Sequence, residues 1–246
     1  MYKEVVYKAC GDRALLMELS DAIEPACNEK IGLMVKRLES RGVKGLTEIL
    51  PTYRSILFYY DPMLTDYYAF QAEIKKIYDD LGVGASEANY RILHIPVLYG
   101  GDMGPDLGFV ADHNGLSREE VIKIHTEPEY LVYMLGFTPG FSYLGGLDPR
   151  IFTPRLETAR LKIAKGSVGI ADKQTGIYPI ESPGGWRLIG RTPIDLYDPE
   201  KDPPVLLRAG DHLKFKSIDP DEYRALEEEK NKGRLSPEIE EGVCHD

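Results

Sequence analysis

Apolar positions change rhythm along the chain at about residue 88. In the first part, residues 5–7 and 14–19 read as two short strands divided by the Gly11-Asp12 turn signal. Residues 25–39 then place Ile31, Met34, Val35 and Leu38 at helical spacing, with Gly42 beyond as a stop. Residues 55–60 form a β-rich run closed by Asp61-Pro62. Residues 66–81 return to the helical period, with Phe70, Ile74, Ile77 and Leu81 on one stripe. The order ββαβα predicts a small sheet with helices on one face.

From Asn89 onward, short apolar runs alternate with Gly- and Pro-rich punctuation. Residues 91–97 read as a strand, 106–112 as a short helix, and Ser117 with Glu120 has capping-box spacing for a helix running to His125. Further strands are predicted at 130–135, 167–171, 177–180, 187–189, 194–197 and 212–216. Many short strands at this spacing indicate a barrel or sandwich. A terminal helix is expected over 220–232 and a frayed acidic tail over 238–246. The fold class is therefore α+β, with an α+β domain at 1–88 and a β-barrel domain with a C-terminal helix at 89–246.

Composition narrows the function. A net charge of -10 repels phosphate backbones and anionic lipid, which argues against nucleic-acid or membrane-surface binding. No uncharged apolar run approaches the roughly 20 residues of a spanning helix, and the N-terminus lacks the apolar core of a signal peptide. Cys10, Cys27 and Cys244 are odd in number and far apart, fitting reduced thiols in a cytoplasmic protein rather than disulfides or a zinc site. The five histidines are too dispersed for a helical metal pair, so no metal site is expected. There is no phosphate-loop or Gly-x-Gly-x-x-Gly fingerprint, no Gly-x-Ser-x-Gly elbow and no biotin-attachment Met-Lys-Met.

Unusual chemistry concentrates in three segments: 125–144, 166–179 and 182–193. Their glycines permit positive φ or close backbone approach, and their prolines fix φ, so they describe rigid loops between strands. Tyr143, Gln174, Tyr178, Ser182 and Arg191 lie in these loops and can orient a small polar ligand. The plainer alternative is a turn-rich barrel whose glycines only make corners.

The first segment carries His125, Tyr130, Val132, Gly136, Phe137, Pro139, Gly140, Phe141, Tyr143 and Leu144 in the order His-x-x-x-x-Tyr-x-Val-x-x-x-Gly-Phe-x-Pro-Gly-Phe-x-Tyr-Leu. The second runs Gly-Ser-Val-Gly-Ile-Ala from Gly166 and then Gln-Thr-Gly-x-Tyr-Pro to Pro179. The third runs Pro-Gly-Gly-Trp-x-Leu-Ile-Gly-Arg-Thr-Pro from Pro183 to Pro193. Together they resemble the family of 5-oxoprolinase B subunits, which also includes KipI-type kinase inhibitors and allophanate hydrolase subunit 1. At Asp172 the family pattern leads one to expect glycine, and aspartate is among the better substitutes if the position needs positive φ.

The resemblance implies a cyclophilin-like β barrel behind a small, ferredoxin-like α/β sandwich. It implies pairing with a homologous, KipA-like C subunit and cooperation with an A subunit, opening 5-oxo-L-proline to L-glutamate at the expense of ATP. Alternatives in other classes are a non-catalytic inhibitor of a sensor histidine kinase, a carboxyltransferase part of a biotin enzyme and, by fold analogy only, a prolyl isomerase. For the lactam-opening reading, His125 is the candidate base and Arg191 the candidate catalytic cation. Arg155 is a second cation for substrate oxygens, with Tyr143, Gln174, Tyr178 and Ser182 orienting the substrate. Against these stand plainer roles: His125 as an imidazolium capping its helix end, Arg191 and Arg155 as solvated cations, the tyrosines as core rings, and Trp186 as packing.

Overall fold

The structure, a computed structural model, describes residues 1–82 and 89–243. It divides into two compact units, Met1–Ala88 and Asn89–Cys244.

The first unit runs β1 (Val6–Ala9), β2 (Ala14–Glu18), α1 (Pro25–Arg41), β3 (Leu46–Pro51), β4 (Ser55–Tyr60) and α2 (Tyr67–Asp79). Its antiparallel sheet has the order β1-β2-β4-β3. Joining the ends of a β-α-β-β-α-β ferredoxin-like chain and opening it before its last strand produces this order. On the central pair, Leu15 faces Phe58 and Met17 faces Ile56. All four are buried, against Ile31, Met34 and Leu38 of α1 and Phe70, Ile74 and Ile77 of α2. Asp66 caps α2 by accepting from the Tyr68 and Ala69 backbone N–H groups. The strand β3, not expected from the sequence, is an edge strand with no fully buried position, so it lacks the alternation that would reveal it.

The second unit runs β5 (Asn89–Tyr99), α3 (Leu107–Asn114), α4 (Arg118–Thr126), β6 (Glu129–Leu135), β7 (Ser142–Gly145), β8 (Arg160–Ile163), β9 (Ser167–Ala171), β10 (Gln174–Ile177), β11 (Ser182–Gly184), β12 (Arg187–Arg191), β13 (His212–Ser217), α5 (Pro220–Asn231) and β14 (Glu238–Val243). Seven strands follow the order β10-β9-β12-β5-β13-β6-β7. The two ends of that path, β7 and β10, lie against each other, so the sheet curls into a nearly closed barrel. A Leu, Ile and Val core fills it, including Leu93, Ile95, Val97, Val168, Ile170 and Leu213. The strands β8 and β11, separated in the chain by β9 and β10, pair antiparallel in a separate two-stranded sheet.

Three local expectations are corrected here. The run 194–197 is not a strand: Ile194 and Leu196 are buried as loop residues, and only Tyr197 makes an isolated bridge, to Val205. The strand expected at 177–180 lies three residues earlier, at Gln174–Ile177. The acidic tail is ordered where it is described: Glu238–Val243 pairs antiparallel with β5, and Glu240 meets His94 Nε2 at 3.2 Å. Backbone hydrogen bonding makes this strand, which is why no hydrophobic pattern marked it. Residues 244–246 of the expected tail lie outside the described residues. No described helix is long and apolar enough to cross a membrane.

Candidate functional site

The hairpin β9–β10 sets the site. Its register pairs Gln174 with Ala171, Thr175 with Ile170, Gly176 with Gly169 and Ile177 with Val168. Alternation sends Val168, Ile170, Thr175 and Ile177 into the barrel. Gly169, Ala171, Gln174 and Gly176 face outward. There the two paired glycines make a flat floor for the Trp186 indole. A β-carbon at Gly176 would stand 3.1 Å from the ring, and one at Gly169 3.2 Å from the Trp186 Cβ.

Around that indole the outward face carries Phe141, Tyr143 and Tyr178 in edge-to-face contacts. Phe141 lies 5.7 Å from Trp186, 5.2 Å from Tyr143 and 6.1 Å from Tyr178, with interplanar angles of 72–86°. Burial raises the Tyr178 phenol above its usual range, although the Trp186 backbone N–H bonded to its oxygen pulls the other way. Over these rings lies a hollow of about 170 Å³, lined by Phe137, Phe141, Tyr143, Arg155, Gln174, Tyr178, Pro183, Gly184, Gly185 and Trp186.

Arg155 is the one formally charged residue among those lining it. Its Nε donates to Asp172 Oδ2 at 3.0 Å, and its guanidinium carbon lies 6.0 Å from the Trp186 ring centre. Asp172 has φ +54°, the left-handed conformation in which glycine costs least. Reciprocal backbone bonds between Thr153 and Asp172, and one from Leu156 N–H to Gly185 C=O, hold the Arg155 segment beside the hollow. Asp106 anchors the same loop from behind. It accepts from Arg160 Nη2 at 2.9 Å and from Leu188 N–H at 2.7 Å, while Arg160 Nη1 donates to Trp186 C=O.

Four of the expected ligand residues, Tyr143, Arg155, Gln174 and Tyr178, thus meet at one hollow. Ser182 sits on β11 opposite Ile163, beside Pro183 but not on the lining. Arg191, at the end of β12, pairs with Ser167 and Leu98 instead. Its Nε and the Ser167 hydroxyl are both buried without a hydrogen-bond partner.

His125 is placed in the barrel core, which corrects both expectations for it. It is fully buried, packs its ring on Phe215 at 4.5 Å and has no place on the hollow's lining. Nδ1 lies 2.7 Å from the Tyr99 hydroxyl, and Nε2 lies 2.8 Å from Thr175 Oγ1. The Thr175 hydroxyl donates its only proton to Gly169 C=O at 3.1 Å. It must therefore accept from His125, so Nε2 carries the proton and Nδ1 accepts from Tyr99. Burial drives the imidazole pKa down to about 3. A neutral, doubly bonded ring is neither a solvent-reaching base nor a cationic helix cap.

Phe137, Phe141 and Trp186 line the hollow without having been expected there. The available signal was their membership of the Gly-Pro motif segments: Phe137 and Phe141 share the first with Tyr143, and Trp186 lies in the third with Ser182 and Arg191. A larger hollow of about 580 Å³ lies in the first unit, bordered by Arg41, Lys44, Glu73, Lys76 and Asp80. It is an open groove of mixed charge that contains none of the motif residues. Among the described residues, no cluster of three or more His, Cys, Asp or Glu is arranged to hold a metal ion.

Comparison with known proteins identifies the family. Residues 5–207 match the carboxyltransferase domain, subdomain C and D. A Bacillus subtilis protein named as the B subunit of 5-oxoprolinase is 44% identical over 232 residues, covering 90% of this chain and 96% of its own. Its namesake from Escherichia coli O157:H7 is 39% identical, covering 83% and 92% respectively. The Kluyveromyces lactis urea amidolyase structure shares the fold with a TM-score of 0.79 at 23% identity, over 98% of this chain and 16% of that one. The chain belongs to the carboxyltransferase subdomain C and D family, among the proteins called 5-oxoprolinase B subunits.

Proposed function

We propose that this chain is the substrate-orienting member of an ATP-dependent 5-oxoprolinase, working with the C and A subunits to open 5-oxo-L-proline to L-glutamate. The observation that carries this reading is the small aromatic hollow with one cation at its edge and one carboxamide on its floor. The ligand is a small five-membered lactam ring with two methylenes, a carboxylate and a ring N–H beside a C=O. The aromatic walls suit the ring and Arg155 the carboxylate. Gln174 adds a carboxamide to the lining, a group type able to hydrogen-bond a lactam. The relatives named as B subunits of 5-oxoprolinase support the same reading.

The hollow suits a lactam better than ATP. Pockets for drug-sized ligands span about 300–1,000 Å³, and this one is about 170 Å³. Its lining also offers no second cation for a phosphate chain. In this reading nucleotide binding belongs to a partner protein of the complex, and this chain binds and aligns the lactam. His125 then acts at one remove, tying the inner side of β10 in place through Thr175, while Arg191 and Ser182 lie off the hollow.

The test is glutamate release from 5-oxoproline with ATP, using the three purified proteins singly and mixed. Turnover only in the complete mixture, with KM for 5-oxoproline raised about 10- to 100-fold by Arg155→Ala, is expected from a charge-assisted carboxylate contact. No turnover in a fully assembled complex would sink the reading.

A further inference from the structure

We infer that Phe137 is a substrate-contacting residue whose ring closes over the occupant of the hollow and selects a small flat ring there; this rests on the function proposed above. Phe137 has φ +69°, a conformation that bulky side chains rarely adopt. The Thr138 N–H donates to Gly136 C=O at 2.9 Å across it, which makes the rare γ-turn of positive φ. Such strain persists only where the surroundings impose it. Here Gly136 N–H bonds Phe141 C=O, and Phe141 N–H bonds Thr138 C=O, so the turn is clamped at both ends.

What the strain presents is a phenylalanine 72% exposed, although Phe141, four residues on, is 4% exposed. The Phe137 ring nevertheless lines the hollow, meeting Phe141 edge-to-face at 5.7 Å. Neither backbone preference nor core packing accounts for phenylalanine at this position, because glycine would take the turn without strain and the ring is mostly outside the core. A contact formed only when the hollow is filled accounts for both the exposure and the position. Trp186 and Phe141 line the same hollow, so a planar ring held there meets more than one aromatic surface.

The experiment uses the complete complex with the C and A subunits, carrying Phe137→Ala, Phe137→Gly, Phe137→Tyr or Arg155→Ala in this chain. Steady-state kinetics with 5-oxo-L-proline are measured alongside the affinity of this chain for the C subunit. The expected result is a KM raised about 10-fold by Phe137→Ala and Phe137→Gly, near-normal KM in Phe137→Tyr, and unchanged affinity for the partner. Phe137→Gly relieves the positive φ, so a thermal midpoint at or above that of the unaltered protein shows that the KM change is not a folding defect. If Arg155→Ala raises KM and the Phe137 variants do not, the inference about Phe137 fails alone. If neither position affects KM, the assignment of the hollow fails and the inference with it. If Phe137→Ala weakens binding to the C subunit while leaving KM unchanged, Phe137 is a docking residue and the inference is overturned.

Discussion

The two faces of the β9–β10 hairpin are separated by one residue step and obey opposite rules. On the inner face, Thr175 joins Tyr99 and His125 in a closed hydrogen-bond chain among fully buried Val168, Ile170 and Ile177. On the outer face, Gln174 and the two glycines support an aromatic hollow with a cation at its edge. The inner face places polar atoms where water cannot reach, so every one of them must be satisfied within the protein. The outer face leaves room for a molecule that is not part of the protein. Histidine, the residue most readily assigned to chemistry, belongs to the first face. Phenylalanine and tryptophan, the residues most readily assigned to packing, belong to the second.

The largest expected effect is on the inner face. His125→Leu breaks the chain to Tyr99 and Thr175 and leaves two buried hydroxyls short of a partner, a destabilisation of about 3 kcal/mol in chemical denaturation. The unaltered protein should also lose stability in acid. The His125 pKa is about 3 in the folded state and near the ordinary ~6.5 unfolded. Between those values the unfolded state holds the extra proton. Stability from this residue is therefore complete above about pH 6.5 and falls by about 1.4 kcal/mol per pH unit below it. His125→Leu removes that slope. A slope that survives the substitution would assign it to other groups and blur the contrast between the faces.

A smaller effect comes from filling the outer floor. Gly176→Val drives side-chain carbons into the Trp186 indole, costing about 1–3 kcal/mol as overpacking. Because the indole forms a wall of the hollow, loss of 5-oxoproline binding should exceed the loss of stability. Calorimetric binding and denaturation on the same variant separate the two. Arg155→Ala sharpens the contrast further. Its partner Asp172 is exposed, so stability should change by less than about 0.5 kcal/mol while KM rises. The smallest effect is Asp172→Gly. It frees Arg155 from its ion pair and relaxes the left-handed backbone, for a net change within about 1 kcal/mol. A marked drop in thermal stability would mean that the Arg155–Asp172 pair holds the loop more firmly than its exposure suggests.

Much of the architecture was legible. The stripe of Phe70, Ile74 and Ile77 became α2, the Ser117–Glu120 capping box closed in full, and the runs at 55–60 and 167–171 are strands at the expected bounds. Elements made mainly by backbone pairing were not legible. Acidic β14 and the short paired strands β8 and β11 have no apolar rhythm of their own. The run at 194–197 was misleading for the converse reason: a loop can bury Ile194 and Leu196 without becoming a strand.

The sequence by itself determined the α+β plan, the Ser117–Glu120 capping box and the three motif segments that carry the hollow, because period, capping and turn chemistry act between near neighbours in the chain. Only the tertiary structure decided the face on which each motif residue stands. That choice depends on strand register, which pairs Gly176 with Gly169 and places Thr175 beneath His125, 50 residues away along the chain. A shift of one residue would exchange the two faces, turning Gln174 into the core and Thr175 out to the hollow.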